Sequence, residues 1–392
     1  MKVGLVSPYD YTHPGGVTHH IRNLGDWLHK LGHEVRTFAP SSRRQAEYEI
    51  PNFYRIGRVF SVPANDSVAR ITLSFHLASR VKDILEKERF DVLHFHEPLM
   101  PALPITLLRL SRNAGIPTIG TFHAFAKSNL GYYYGRPLLK PYLQRLDEAI
   151  AVSPAAEDFV HHYFDIKLRI IPNGIDVDNF KPGLAPIRHL RDDRVNVLFV
   201  GRLEKRKGLR DLLQAYALMK ERFSRARLIV VGDGPLRSSI EHHLAKHRLE
   251  DVVLAGYVPE SVKPRYYATA DIFCAPATGG ESFGIVLLEA MASGVPVVCT
   301  EVPGYLTVVE PGVDSLTVRP GRPAELGQTL TVLARDRELR ARLGAAALRK
   351  AQGYSWREIT SQVIEVYQDA RRSPRLAASR RSDVHDAIPE VG

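Results

Sequence analysis

Two carboxylates stand alone in GGESFGIVLLEAMASG, residues 279 to 294, where Glu281 and Glu289 are the only charges. Read as a helix, FGIVLLEAMA is apolar on every side except at Glu289, and a helix hydrophobic all round is buried. A buried carboxylate is costly unless it is hydrogen-bonded or paired, so Glu289 requires a partner from the protein or from a ligand. Ser282 reads as the helix N-cap. Gly284 lets a ligand approach the first turn, whose free N–H groups favour an anion such as a phosphate. Eight residues of helix rise about 12 Å, so the two glutamates would reach separate parts of one extended ligand. A glycosidase pair would instead flank one bond at roughly 5 to 10 Å. The ordinary alternative is a charge at a helix N-terminus plus a core glutamate with a local partner.

Three further motifs follow probable strands. GRLEKRKG, 201 to 208, offers Arg202 and Lys207 to a diphosphate, where fixed cations would stabilise charge building on a departing nucleotide. Its ordinary reading is a solvated basic loop balanced by Glu204. HPGGVTHH, 13 to 20, places Gly15 and Gly16 at a turn into the first helix, where backbone N–H groups approach a ligand oxygen. IPTIGTFH ends on His123, an imidazole at a strand tip that can bond a substrate hydroxyl or act as acid/base. His94, His96 and Glu97 lack a second cluster of matching ligands, so no dedicated metal site is expected. GDGPLR, 232 to 237, lacks the last glycine of GxGxxG, which argues against an NAD enzyme, and there is no GxxxxGK[ST] loop.

The elements that must position these residues alternate in type. KVGLVS, HEVRTFAP, DVLHFHEP, IPTIGTFH, EAIAVS and LRIIPN are strand-like runs, and a second series comprises VNVLFVG, ARLIVVGDG, VVLAGYV, ADIFCAPA and VPVVCT. Amphipathic stretches such as 17 to 31 lie between them, as expected of parallel α/β sheets. A chain of 392 residues exceeds one ordinary core, so two Rossmann-like domains facing across a cleft are expected. The expected divisions are 1–172, a linker at 173–194, a second domain at 195–350, a helix at 351–372 crossing back to the first domain, and a disordered tail at 373–392. Cys274 and Cys299 sit in apolar runs and imply no disulfide framework, which fits a reducing cytoplasm. The N-terminal run is too short for a signal peptide, and no run approaches the roughly 20 apolar residues of a membrane span. The net charge of +10 admits nucleic acid, anionic membrane or phosphate ligands, but it is scattered, with no nucleic-acid motif.

Taken together, PGGV, DVLHFHEP, TFH, IPNGID, VGRLEKRKG, GDGP and ESFGIVLLEAMASG resemble, in order, the family 4 retaining glycosyltransferases of the GT-B fold. NDSVAR, IPNGIDVDNF and CAPATGGESFGIVLLEAM are similar to the bacterial phosphatidylinositol α-mannosyltransferase subgroup. The resemblance implies transfer of a hexose, mannose from GDP-mannose, to a lipid-linked acceptor such as phosphatidylinositol at the cytoplasmic face of the membrane. It also implies that the leaving phosphate takes the acceptor proton. Glu281 then matches the contact to donor-sugar hydroxyls, and Glu289 the ribose contact. Phe283, Gly284, Ile285 and Val286 match the segment along sugar and phosphates. Arg202 and Lys207 match the diphosphate clamp, Gly16 the glycine facing the diphosphate, with Gly15 beside it, and His123 the histidine at the reacting sugar.

Tyr9, Thr18, Arg70 and Lys127 are the candidate acceptor contacts. Thr18 stands where the subgroup tends to have glutamine, Leu99 where it has asparagine and Ala124 where it has threonine, so the acceptor side departs most from the pattern. The subgroup's basic membrane helix is diluted here: Arg80, Lys82, Lys87 and Arg89 are interrupted by Asp83, Glu86 and Glu88. Arg136, Lys140 and Arg145 in YYYGRPLLKPYLQR form a second lipid-facing candidate. No tightly bound cofactor is expected, and a divalent cation would at most stimulate. A UDP-glucose enzyme acting on another lipid or small molecule is the alternative.

Overall fold

The computed structural model describes residues 1–13, 15–45, 49–64, 67–72, 77–124 and 130–372. Lys127, the expected tail 373–392 and part of NDSVAR lie outside them.

The chain divides into two compact units, Met1–Pro172 with the segment from Trp356, and Asn173–Ser355. The first contains strands β1 (Lys2–Val6), β2 (Glu34–Ala39), β3 (Phe53–Arg55), β4 (Val59–Ala64), β5 (Ser67–Thr72), β6 (Val92–His96), β7 (Thr118–Phe122), β8 (Glu148–Ala151) and β9 (Arg169–Ile170). Its helices are α1 (Gly16–Lys30), α2 (Ala78–Glu88), α3 (Leu103–Asn113), α4 (Leu130–Leu143) and α5 (Pro154–His161). Seven strands form a sheet in the order β3-β2-β1-β6-β7-β8-β9, every pair parallel, with β4 and β5 as a separate antiparallel hairpin. VLHFH and TIGTF are buried at every position, as strands covered on both faces require.

The second unit contains β10 (Val195–Val200), β11 (Ala226–Val231), β12 (Val252–Gly256), β13 (Ile272–Ala275), β14 (Val297–Thr300) and β15 (Ser315–Val318). Its helices are α6 (Leu209–Arg222), α7 (Arg237–His247), α8 (Lys263–Thr269), α9 (Ile285–Ala292), α10 (Pro303–Leu306), α11 (Pro323–Arg335) and α12 (Arg337–Gln352). The sheet is again all parallel, in the order β12-β11-β10-β13-β14-β15. Cys274 and Cys299 are buried free thiols on adjacent strands, their ionisation pushed up by burial.

Two boundaries differ from those expected from the sequence. The stretch 173–194 is not a bare linker, because Ile175, Phe180, Ile187 and Leu190 join the core of the second unit. The last helix is α13 (Trp356–Arg371), starting five residues later than expected because α12 runs on to Gln352. Burial of Trp356, Ile359, Val363, Val366 and Tyr367 in one cluster with Leu5, Ile21 and Ile150 fixes α13 to the first unit.

Each sheet reverses its order beside its first strand, and the crevice at such a switch point is where open parallel sheets bind ligands. In the first unit the switch lies between β1 and β6, and in the second between β10 and β13. The singled-out residues follow these strands: Tyr9 after β1, Arg202 and Lys207 after β10, and Glu281 after β13.

Candidate active site

In the second unit, Glu281 Oε1 accepts from both Arg206 Nη1 and Lys207 Nζ at 2.7 Å. Arg206 also donates to the Gly280 carbonyl at 3.0 Å, and Glu204 bridges Arg206 and Arg202 at 3.2 Å each. Glu204 is therefore an organiser of the basic loop: it is 3% exposed, whereas Arg202 is half open to solvent. Arg206 escaped the sequence reading although it sits beside Lys207, because a run of three cations does not say which will turn toward a carboxylate.

Backbone geometry fixes this loop. Lys205–Lys207 form a single 3-10 turn closed by Gly208 at φ 70°, and a Cβ there would lie 1.8 Å from the Pro276 carbonyl oxygen. The loop after β10 thus rests directly on the end of β13, which brings Lys207 to Glu281.

The helix bearing Glu289 begins at Ile285, with Gly284 as its N-cap at φ 109° and no side-chain cap; Ser282 is not the cap. Glu281 consequently lies in the loop before the helix, so its separation from Glu289 is not the rise of eight helical residues. Gly284 is required by packing as well as conformation, since a Cβ would stand 2.7 Å from the Tyr305 ring. Phe283 is buried in the core, while Ile285 and Val286 are half-buried at the helix start. Glu289 has its local partners: Oε1 accepts from Lys263 Nζ and Oε2 from the Tyr267 hydroxyl, both at 2.7 Å. Burial works against the Lys263 charge, but Glu289 and Glu260 outweigh it and the ammonium's pKa is raised. A carboxylate has about four acceptor sites, so an oriented Glu289 retains capacity for a ligand hydroxyl.

In the first unit, α1 starts with Gly15 as N-cap at φ −169° and no side-chain cap. The glycine pair therefore makes no left-handed turn. Its effect is steric: a Cβ on Gly16 would meet nothing within 4 Å, leaving open space beside the first helical turn.

His123 is 8% exposed, and its Nε2 lies 3.0 Å from His96 Nδ1. Burial and then neighbouring histidines hold it well below the ordinary imidazole range, so it is neutral near pH 7. His123 Nδ1 has no hydrogen bond to a described residue and can serve a ligand. His94 is spent on structure, bonded to the Tyr367 hydroxyl at 2.8 Å and to Thr121 Oγ1 at 2.6 Å. Glu97 Oε1 accepts from the backbone N–H groups of His123 and Ala124 at 2.7 and 2.8 Å, and burial pushes its pKa up to about 7.

The ring centroids of His94 and His96 lie 4.3 Å apart, but the bonds of His94 to Tyr367 and Thr121 and of Glu97 to the backbone of His123 and Ala124 keep the trio from acting as one ligand set. Among the described residues, the group brought within reach of one ion is His20, His96 and His123, whose ligand atoms lie within 4.8 Å of one another. His20 comes from α1, and no spacing in the sequence connects it to the other two. Of the acceptor candidates, Thr18 is buried, the Tyr9 hydroxyl is pushed up by burial and by Glu97, and Arg70 Nη1 lies 4.0 Å from the buried Asp10 carboxylate.

A model described as "Glycosyl transferases group 1" matches residues 185–350, and one described as "Glycosyltransferase Family 4" matches residues 14–179. The chain is 35% identical over 380 residues to the phosphatidyl-myo-inositol mannosyltransferase of Mycobacterium leprae, covering 95% of this chain and 98% of that protein. The chain belongs to the family 4 glycosyltransferases. This glycosyltransferase is also 30% identical over 390 residues to the D-inositol 3-phosphate glycosyltransferase of Kribbella flavida, covering 91% of each. It shares its fold with the crystal structure of Anabaena HepE in complex with UDP, at a TM-score of 0.77 and 20% identity over 94% of this chain and 100% of that one. The glycosyltransferase therefore has the GT-B architecture expected from its motifs.

Proposed function

We propose that this glycosyltransferase moves mannose from GDP-mannose to the inositol ring of phosphatidylinositol, with retention at the anomeric carbon, at the cytoplasmic face of a membrane. The observation that carries the reading is the convergence of Arg206 and Lys207 on Glu281 at the switch point of the second sheet. Two cations anchored by one carboxylate form a preorganised charge field, suited to a departing diphosphate. Glu281 holds the cations through Oε1 and would take a sugar hydroxyl through Oε2. Glu289, fixed by Lys263 and Tyr267, would take the ribose.

In this reading the departing phosphate, rather than a protein carboxylate, receives the acceptor's proton. His123, neutral and anchored through His96, serves as a hydrogen-bonding group at the reacting sugar. Catalysis then rests on positioning and charge stabilisation. The cations Arg206 and Lys207 supply charge that needs no metal ion, so a divalent cation would only stimulate.

The lipid acceptor is supported by the name of the mycobacterial relative. The acceptor side is where this chain is distinctive: Leu99 is buried in the core of the first unit and offers no hydrogen bond. A relative named for D-inositol 3-phosphate favours the second reading, a soluble inositol phosphate acceptor. Incubating the protein with GDP- and UDP-sugars and either lipid extract or inositol phosphates, with mass spectrometry of products, tests both. A mannosylated phosphatidylinositol formed from GDP-mannose alone is expected; turnover only with a UDP-sugar, or only on a soluble acceptor, would overturn the proposal.

A further inference from the structure

Between Glu97 and Asp147 the chain carries no Asp or Glu, while Arg109, Arg112, Lys127, Arg136, Lys140 and Arg145 supply cations. The carboxylate-free stretch contains α3, β7 and α4. Helix α4 departs from the rule that amphipathic helices turn large apolar side chains inward. Leu130, Tyr133, Tyr134 and Leu138 are 70, 66, 75 and 76% exposed. Their spacing of three and four residues places them on one stripe, opposite the side from which Tyr132 and Leu143 enter the core. Arg136 and Lys140 are exposed along one flank, and Arg145 donates from just beyond α4 to the Arg109 carbonyl at 3.4 Å, linking α4 to the cations of α3.

We infer that α4 is the element by which this protein docks on an anionic lipid bilayer. An apolar and tyrosine-bearing stripe flanked by cations suits the boundary between head groups and acyl chains. Pro137 and Pro141 withdraw two backbone donors from the helix, which leaves carbonyls that need water and keeps α4 in the interface rather than the hydrocarbon. A second copy of the chain is a poor occupant, because it would bring the same carboxylate-free surface against this one.

Helix α2, the family's expected membrane element, is built differently here. Val81, Ile84 and Leu85 are buried in the core, and its exposed face mixes Arg80, Lys82 and Lys87 with Asp83 and Glu86, with Lys82 and Glu86 paired at 3.6 Å. In this chain the exposed apolar stripe flanked by cations is thus on α4 and not on α2. The inference concerns docking alone and stands whichever molecule accepts the sugar.

The test is flotation of the full chain with vesicles of phosphatidylcholine, or of phosphatidylcholine with phosphatidylglycerol, without inositol lipid or sugar nucleotide. Binding to the anionic vesicles at least tenfold above the neutral ones, weakening with salt, is expected. Leu138→Ser or Tyr134→Ser should lower partitioning roughly tenfold, and Arg136→Gln or Lys140→Gln about fivefold each. Lys82→Gln should leave it unchanged. Melting curves and binding of free GDP report whether each variant is folded, and the exposed cation variants keep the test open should an apolar variant unfold. Equal binding to neutral vesicles, wild-type binding by the α4 variants, or loss through Lys82→Gln would overturn the inference. So would a dimer seen by light scattering and dissolved by Leu138→Ser, which would assign the face to a second copy. Failure of mannosyl transfer with docking intact would refute only the proposed acceptor.

Discussion

Replacing Lys207 by alanine separates the catalytic from the structural role of the basic loop. Lys207 Nζ shares Glu281 Oε1 with Arg206, both at 2.7 Å, and Arg206 is itself held by Glu204 and the Gly280 carbonyl. Lys207→Ala therefore removes one charge-assisted hydrogen bond without leaving Glu281 unpaired. The stability loss should be about 1.5 to 3 kcal/mol, below the roughly 3 to 5 kcal/mol of a buried charge stripped of its only partner. For a unit of this size that is a fall in Tm of about 3 to 12 °C. If Lys207 faces the departing diphosphate, kcat should drop about 100- to 1,000-fold, as when one preorganised charge-stabilising donor is lost. Release of GDP at saturating donor, measured below the variant's melting range, gives the rate, and calorimetry gives the stability. Lys207→Arg keeps the charge and should recover part of the rate. Turnover within threefold of wild type for Lys207→Ala would refute the assignment.

Two other perturbations test the scaffold. Glu97→Gln should stabilise the protein at high pH: the folded carboxyl titrates near 7 instead of the usual 4.5, so ionisation in the unfolded chain costs stability progressively from about pH 4.5 to 7. Glutamine keeps the single oxygen that accepts from His123 and Ala124. Its advantage should be nearly absent below pH 4.5 and reach up to about 3 kcal/mol above pH 7, read from denaturant midpoints, and an advantage independent of pH would contradict the linkage. Gly208→Ala should cost roughly 2 to 5 kcal/mol through left-handed strain and the clash with the Pro276 carbonyl. Donor affinity should fall with it, and an unchanged melting curve would show that the loop does not rest on β13.

Periodicity and punctuation carried most of the fold. Eleven runs marked strands, most of them because parallel strands are buried on both faces and read as near-continuous hydrophobic stretches; β9, exposed at both positions, is an exception. The short β3, the β4–β5 hairpin and β15 were not legible, being too brief or too polar to stand out. The stretch 173–194 looked like a linker because Gly, Pro and charge dominate it, yet four spaced apolar residues were enough to tie it into a core. At the site, the oddity of Glu289 in an apolar helix correctly demanded a partner, but Lys263 and Tyr267 lie on another helix and no local pattern names them.

The sequence by itself determined the alternation of strands and helices, which strands the singled-out motifs follow and which family the chain resembles, because residue type, hydrophobic period and motif order are properties of the linear chain. Only the tertiary structure decided how those residues are partnered. It turned Arg206 onto Glu281, set Arg202 against Glu204, bonded His94 to Tyr367, and carried His20 to His123. Such pairings arise from loops converging at strand ends from distant parts of the chain, where backbone packing, as of Gly208 on Pro276, selects among residues that look equivalent in sequence.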